Sequence, residues 1–132
     1  VIKIPGSGLP SIEMNNSKEI KQGELIMVIG TPKGFPSLVT TGIISAIRKT
    51  DVFRLENNWL STMTLITTQT DEKVLHGNSG GPVVNFNGQA VGVMILGPGK
   101  KCFAVSIQHV HKLLKTVQRA ELLENLAQVA MN

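Results

Sequence analysis

Short apolar segments separated by turn residues are the feature that most constrains the fold of this 132-residue chain. The segments are rich in Val, Ile, Leu and Thr, a pattern typical of an antiparallel barrel or sandwich. We predict seven or eight strands, over residues 1–4, 25–29, 38–47, 52–55, 63–69, 82–85, 90–95 and 102–106. The Asn87-Gly88 pair between two of these strands is the favoured two-residue hairpin loop, because both positions require positive φ.

After Ser106, the spacing of apolar residues changes from every second residue to about every 3.6 residues. We predict Ser106 to be a helix N-cap. Apolar residues then recur on one helical face: Val110, Leu113, Leu114 and Val117. The pattern predicts a terminal helix over residues 107–132, roughly 37 Å long at about 1.5 Å per residue. Such a helix is longer than this barrel needs, so we expect its distal half to contact another domain or subunit, or to fray.

Composition excludes several classes of protein. Hydrophobic residues make up 42% of the chain and charged residues 17%, unlike a disordered or collagenous chain. The longest apolar runs, residues 25–29 and 91–96, are far shorter than the roughly 18 residues of a membrane span, so we expect a soluble chain. The net charge of +4 comes from scattered basic residues without interleaved aromatics, which argues against a nucleic-acid partner. The single cysteine, Cys102, excludes an internal disulfide.

The glycine-rich loop Gly77-Asn-Ser-Gly-Gly-Pro82 is the segment that points most directly to a catalytic function. At average composition, a chance match to Gly-x-Ser-Gly-Gly-Pro in such a chain has odds of about one in ten thousand. Glycines around a serine let the backbone turn sharply, which exposes the hydroxyl while amide N–H groups converge on one point. This arrangement indicates an oxyanion hole, whose donors each contribute about 3–4 kcal/mol to transition-state stabilisation.

Two other interpretations of this loop are weaker. It matches the Gly-x-Ser-x-Gly nucleophile elbow of α/β-hydrolases, but an elbow lies between a strand and a helix, whereas residues 82–88 are predicted to be a strand entering a hairpin. The other interpretation is a glycine-rich turn with an ordinary serine, and the low chance frequency argues against it.

The chain resembles the trypsin-like serine proteases, and within them the HtrA/Deg type. Seven segments carry the resemblance, in family order and spacing: Val1-Ile-Lys-Ile4, Gly30-Thr-Pro-Lys-Gly34, Val39-Thr-Thr-Gly-Ile-Ile-Ser-Ala46, Gln69-Thr-Asp71, Gly77-Asn-Ser-Gly-Gly-Pro82, Val91-Gly92 and Phe103-Ala-Val105. The resemblance implies a mostly β fold, with a six-stranded antiparallel barrel, the second of the double-barrel protease fold, and a C-terminal helix. We accordingly expect residues 1–4 to be the last strand of a missing N-terminal barrel, 5–23 an inter-barrel linker, 24–106 the barrel and 107–132 the helix.

The same resemblance implies the residues of the active site. Ser79 is expected to be the nucleophile, and Gly77, Asn78 and Ser79 to form the oxyanion hole. Asn78 replaces an aspartate that, in digestive relatives, pairs with a newly cut N-terminus, so zymogen-type activation is not expected. An edge strand over Val93, Met94 and Ile95 is expected to hold the substrate by β-augmentation.

The residues before the serine loop are expected to contact the substrate: Lys73, Val74, Leu75 and His76. Lys73 falls where trypsin-like enzymes place the residue at the base of the specificity pocket, where a lysine favours an acidic substrate side chain. HtrA-type relatives build this loop differently and prefer small aliphatic residues, and a solvated lysine is the alternative. Asp71 is expected to structure the loop rather than to act in catalysis.

A serine hydroxyl needs a general base, and the base needs a third group to orient it. His76 is expected to border the specificity pocket without contacting Ser79 Oγ. His109 and His111 point to different faces of the helix, so we expect surface or cap-side residues far from the serine and no metal pair. In the family, the catalytic histidine and aspartate belong to the first barrel. The chain has neither an initiator Met nor a signal pattern, so we expect it to be part of a longer protein and nearly inactive alone.

The sequence therefore predicts a serine endopeptidase that acts on extended polypeptide without a metal or cofactor. Its expected partners are the polypeptide substrate and a missing N-terminal barrel supplied in cis or in trans, and homo-oligomerisation stays open. The resemblance implies an extracytoplasmic or organellar location. Two alternatives stay open as well: an inactive pseudoprotease or peptide-binding and assembly module, and a viral or phage-type processing protease.

Overall fold

The computed structural model describes residues 2, 4–16, 20–32, 38–54, 60–96 and 99–130. These residues form, in chain order, β1 (Glu13–Met14), β2 (Leu25–Gly30), β3 (Leu38–Arg54), β4 (Leu60–Val74), β5 (Pro82–Asn85), β6 (Gln89–Leu96), β7 (Gly99–Ser106) and α1 (Ile107–Ala130). Strands β2 to β7 run in the order β6-β5-β2-β3-β4-β7, and the pairing of β6 with β7 closes them into a barrel. The predicted six-stranded antiparallel barrel with a C-terminal helix is confirmed.

The core fills the barrel because alternate side chains along each strand point inward. Ile26 and Val28 of β2 are fully buried, whereas the preceding Leu25 is 56% exposed on the outer face. The other core side chains come from β3 to β7: Ile44, Ile66, Val74, Val83, Val91, Met94, Cys102 and Ala104. Burial also raises the pKa of the Cys102 thiol, which keeps that thiol protonated.

Strands β3 and β4 are longer than the sequence predicts. The predicted strands over residues 38–47 and 52–55 are one strand, except for Leu55, which lies outside the described residues. Register shifts between Ile44 and Ala46, and between Asp51 and Arg54, let β3 bend without ending. The polar residues between the two predicted segments therefore lie within a strand rather than in a turn.

The segment before β2 contains one strand that the sequence does not predict. β1 pairs in parallel with β6 at Glu13↔Gln89 and Met14↔Ala90. Ile2 and Ile4 lie in no strand of this chain and are 92% and 65% exposed, and Val1 and Lys3 lie outside the described residues. The strand over residues 1–4 in another barrel, and the linker over 5–23, stay predictions.

The Asn87-Gly88 hairpin between β5 and β6 is present as predicted. Gly88 has a φ of +78°, and its N–H donates to the Asn85 carbonyl at 3.0 Å. The buried Asn85 side chain fixes the loop, because its Oδ1 accepts the N–H groups of Asn87 and Gln89 at 3.1 and 2.9 Å. This hairpin places β6 beside the start of β5, where the serine loop ends.

Helix α1 begins directly after Ser106 and packs on β6 and β7 through its first turns. Ile107 is buried, but Leu113 is 50% exposed, so the predicted apolar face is wrong at Leu113. The reason is that Val110, Leu114 and Val117 form the half-buried stripe of the helix and Leu113 lies beside it. Further along the helix, Leu122 and Leu123 are 59% and 57% exposed. No helix in the described part of the chain is long and apolar enough to cross a membrane.

Candidate active site

Ser79 lies on an exposed loop between β4 and β5. Gly77 and Gly80 flank it with φ values of +105° and +85°, in the left-handed region that favours glycine. The Asn78 N–H donates to the Leu75 carbonyl at 3.3 Å, and the Gly81 N–H donates to the Asn78 carbonyl at 2.9 Å. These two successive turns hold the serine side chain at the surface.

The loop packs against the end of β2 so closely that glycine is required at three positions. A Cβ at Gly77 would lie 2.6 Å from the Thr31 carbonyl oxygen, and a Cβ at Gly81 would collide with the carbonyl oxygen of Ile29. A Cβ at Gly30 would collide with the side chain of Asn78, which is buried. Gly30, Gly77 and Gly81 are therefore required by close packing, whereas a Cβ at Gly80 would meet nothing within 4 Å.

The loop is also fixed to β6 by hydrogen bonds. The Gly80 N–H donates to the Met94 carbonyl at 2.7 Å, and the Met94 N–H donates to the Gly81 carbonyl at 2.9 Å. These bonds continue the pairing of β5 with β6 into the loop. The Ser79 hydroxyl donates to the Ile95 carbonyl at 3.3 Å, so its proton is held by the backbone of β6.

Two backbone N–H groups of the loop stay available for a ligand. The N–H groups of Asn78, Gly80 and Gly81 donate to carbonyls of the chain, whereas across the described ranges no hydrogen bond from the N–H of Gly77 or Ser79 is found. Two such donors on an exposed glycine-rich turn can bind an oxygen that carries negative charge. The loop therefore combines two N–H groups without an internal acceptor among the described residues and the exposed Ser79 hydroxyl.

The predicted edge strand is wrong for Val93 and Met94. Val93 pairs with β5 and with β7, and Met94 pairs with β7 and is 1% exposed. Closure of the barrel gives β6 a partner on both sides, which the sequence pattern does not reveal. Ile95 differs, because a register shift leaves it out of the pairing with β7, and its side chain is 37% exposed.

The residues predicted to contact substrate before the serine loop fall in different environments. Val74 is 2% exposed and belongs to the core, so its side chain does not reach a substrate. Leu75 is 39% exposed, and His76 is exposed. Lys73 lies in β4, but its side chain lies outside the described part of the structure, and its pocket role stays a prediction. No hydrogen bond joins His76 to Ser79 among the described residues.

Asp71 has a hydrogen-bond partner that the sequence does not reveal. Its Oδ2 accepts a short hydrogen bond from Thr41 Oγ1, which joins β4 to β3 just before the serine loop. Both residues belong to the segments that carry the family resemblance, but only the antiparallel pairing of β3 with β4 brings them together. Asp71 thus contacts the scaffold of the loop, on the strand that leads to Ser79.

His109 and His111 are half-buried against the barrel rather than free on the surface. His109 Nε2 accepts the Thr64 N–H at 2.8 Å, and His111 Nε2 lies 3.3 Å from the Asn15 carbonyl oxygen. Burial, and then the nearby Lys112 charge, lower the pKa of His109. No group of three His, Cys, Asp or Glu residues in the described structure could hold a metal ion.

Comparison with known proteins gives consistent matches. The trypsin-like peptidase domain family matches residues 1–93. A probable periplasmic serine endoprotease DegP-like of Ectopseudomonas mendocina (strain ymp) is 39% identical over 93 residues, which cover 70% of this chain and 18% of that protein. The mitochondrial serine protease HTRA2 of Drosophila pseudoobscura pseudoobscura is 35% identical over 117 residues, which cover 86% of this chain and 26% of that protein.

Solved structures match over most of the barrel. The HtrA-type protease AlgW with a decapeptide superposes with a TM-score of 0.73 at 27% identity, covering 89% of this chain and 36% of that one. The complex of AlgW with a tripeptide gives a TM-score of 0.69 at 26% identity, covering 87% of this chain and 38% of that one. The chain thus spans 18% to 26% of the curated relatives named above and just over a third of these structures.

Proposed function

Because the chain belongs to the trypsin-like peptidase domain family, we propose that it is the serine-bearing barrel of an HtrA-type endopeptidase that cleaves extended polypeptides. The observation that supports this proposal most is the exposed Ser79 hydroxyl on the same loop as the N–H groups of Gly77 and Ser79, for which the described residues provide no hydrogen-bond acceptor. A nucleophile and an oxyanion site within one loop are the parts that acyl transfer requires from this barrel.

The proposed reaction proceeds through an acyl-enzyme. Ser79 Oγ attacks the carbonyl carbon of the scissile peptide while a general base takes the hydroxyl proton. The Gly77 and Ser79 N–H groups stabilise the resulting oxyanion. The C–N bond then breaks as the base returns the proton to the leaving amine, and water hydrolyses the Ser79 ester in the second step.

We assign Asn78 a positioning role rather than a donor role in this reaction. Its N–H is already bonded to the Leu75 carbonyl, and its side chain is buried against Gly30. Asn78 therefore holds the turn that presents the two neighbouring N–H groups. The proposed oxyanion hole therefore consists of the backbone N–H groups of Gly77 and Ser79.

Extended polypeptide is proposed as the substrate class. The AlgW structures are peptide complexes, and the likeness to them supports a peptide ligand here. We propose that Ile95, which lies outside the β6–β7 pairing, and the exposed Leu75 and His76 contact the substrate. The pocket role of Lys73 is proposed on sequence position alone.

The histidine and aspartate of the triad are proposed to come from an N-terminal barrel, in cis or in trans. An apolar surface on β2 and β3, one end of which lies beside the serine loop, supports this partner. On the outer face of β2 and β3, Leu25, Val39 and Ile43 are 56%, 50% and 37% exposed. Val39 pairs with Ile29, next to Gly30, which packs on Asn78. A barrel that covers this surface would bring a base to Ser79 and bury the patch.

One observation favours a second candidate, an inactive peptide-binding module. The Ser79 hydroxyl donates to a backbone carbonyl, and the described residues bring no base to it. In that case the loop would bind a peptide carbonyl or carboxylate without turnover. The names of the relatives, periplasmic or mitochondrial, support an extracytoplasmic or organellar location in either case.

Covalent labelling by a fluorophosphonate, read by intact mass, tests the proposal on the protein in its full natural length. We expect a single adduct, located on Ser79, and none in Ser79→Ala. Ser79 is exposed, so this variant is expected to keep its fold. Absence of an adduct in the natural protein would contradict the peptidase and leave the peptide-binding module.

A further inference from the structure

The first turns of α1 are attached to the barrel by two histidine side chains. The pairing of β4 with β7 ends at Leu65↔Val105, because the chain turns into the helix after Ser106. The next N–H of β4 in that direction, that of Thr64, donates instead to His109 Nε2 at 2.8 Å. His111 Nε2, one helical half-turn further on, lies 3.3 Å from the Asn15 carbonyl oxygen beside β1.

The hydrogen-bond partners of the two rings determine whether Nε2 carries a proton, and they do so differently for His109 and His111. A backbone N–H only donates, so His109 Nε2 must present a lone pair, and this ring is neutral with its proton on Nδ1. A carbonyl only accepts, so His111 Nε2 must carry a proton. A second proton on His109 would place its Nε2–H against the Thr64 N–H, and the hydrogen bond between them would be lost. The His111 Nε2–H can donate to the Asn15 carbonyl with or without a second proton on the ring.

The surroundings of His109 also favour its neutral form. Burial, followed by the Lys112 charge on the same helix, lowers the pKa of the ring, and the first turn of a helix disfavours a cation. On β3, the basic residues Lys49 and Arg48 lie opposite Thr64 and Leu65. The carboxylate on β1, Glu13, is bonded to Gln89 Nε2 at 3.0 Å, and among the described residues no carboxylate pairs with His109.

We propose that protonation of His109 detaches the first turns of α1 from β4, so that acid loosens the helix while its packing on β6 and β7 and its contact through His111 remain. The distal helix would amplify this movement, since the main contacts of α1 with the barrel, besides the two histidine contacts, are with β6 and β7, and Leu122 and Leu123 are exposed. This device does not rest on the peptidase activity, because neither Thr64 nor His109 belongs to the Ser79 loop.

Hydrogen exchange of the full-length protein between pH 8 and pH 5, corrected for the intrinsic rate, tests the proposal. In the natural protein, protection of the segment containing Thr64 and of the first turns of α1 should fall about 2- to 12-fold as His109 is protonated, the range for one net hydrogen bond. Persistent protection to pH 5, with His109 shown by NMR to be protonated, would overturn the proposal.

Three variants separate this device from a general effect of acid. His109→Gln keeps an acceptor that does not titrate, so its protection should not change with pH, while His111→Gln should keep the acid response. Lys112→Gln removes the repelling charge and should move the loss of protection to higher pH, which provides a test even if His109→Gln fails to fold. An unchanged acid response in His109→Gln, or an unchanged midpoint in Lys112→Gln, would contradict the assignment to His109.

Discussion

Substitution of Gly77 by alanine tests whether the geometry of the serine loop depends on close packing against β2. The φ of +105° at Gly77 costs a residue with a side chain about 1–2 kcal/mol. The new Cβ would also lie 2.6 Å from the Thr31 carbonyl oxygen and 2.8 Å from Pro32 Cα, both in the backbone. Overpacking of this kind adds about 1–3 kcal/mol, so we expect a total of about 2–5 kcal/mol.

Gly80 and Gly88 supply the matched controls. Both have positive φ, +85° and +78°, but a Cβ at either would meet no atom within 4 Å. Gly80→Ala and Gly88→Ala should therefore lower the free energy of unfolding only by the cost of the backbone conformation, about 1–2 kcal/mol. The free energy of unfolding is measured by denaturant titration with a common m-value, which shows that the unfolded states are comparable.

The same variants report on the oxyanion site. Displacement of the Gly77 N–H should slow fluorophosphonate labelling of Ser79 by about 10²–10³-fold, the loss expected for one oxyanion donor. Gly88→Ala, at the far end of the β5–β6 hairpin, should label at the natural rate. If Gly77→Ala matched Gly88→Ala in both stability and labelling, the packing argument and the assigned donor would both be refuted.

Three further predictions concern the scaffold of the site, its apolar face and the helix. Thr41→Val removes the donor to Asp71 and should cost about 1 kcal/mol of unfolding free energy, which Thr41→Ser should restore. Ile43→Asp should slow labelling of Ser79 in the full-length protein about tenfold or more, because it places a charge on the face that we propose binds the base-bearing barrel. Phe86→Asp, at an exposed position in the β5–β6 hairpin, should not slow it. Because the pKa of His109 is lowered in the folded state, the contribution of this ring to the free energy of unfolding is fully present above the unfolded value of 6.5. It is lost as the pH falls from there through the lower folded pKa. Calorimetry from pH 7.5 to 5 should show this loss in the natural protein and not in His109→Gln.

The sequence predicts those parts of the fold that depend on local chemistry. The Asn87-Gly88 loop requires positive φ, and the apolar alternation on either side of it identifies β5 and β6. The helix start after Ser106 follows from the change of period. The exposed loop around Ser79 follows from its glycines, since no other residue adopts these backbone angles without strain.

The remaining features depend on contacts between distant segments. The burial of Asn78 against Gly30 and the bond of Thr41 to Asp71 exist only after β2, β3 and β4 are aligned. Closure of the barrel gives Val93 and Met94 partners on both sides, although their sequence also suits an edge strand. The short strand β1, with two residues and no apolar alternation, carries no local signal.

The role of the helix histidines also lies beyond sequence reasoning. Their spacing correctly separates the two rings onto different faces, but each finds a backbone partner on a different part of the barrel. Which strand ends beside the helix decides which N–H or carbonyl each ring meets. That information comes from the register of β4 with β7.

A crystal structure of the full-length protein after reaction with diisopropyl fluorophosphate tests the central claim most directly. We expect a phosphoryl group bonded to Ser79 Oγ, with one phosphoryl oxygen about 2.7–3.1 Å from both the Gly77 and Ser79 nitrogens. We also expect a histidine from outside residues 24–130 within hydrogen-bond distance of Ser79 Oγ. An adduct whose oxygen points away from both nitrogens, or a modified residue other than Ser79, would contradict this claim.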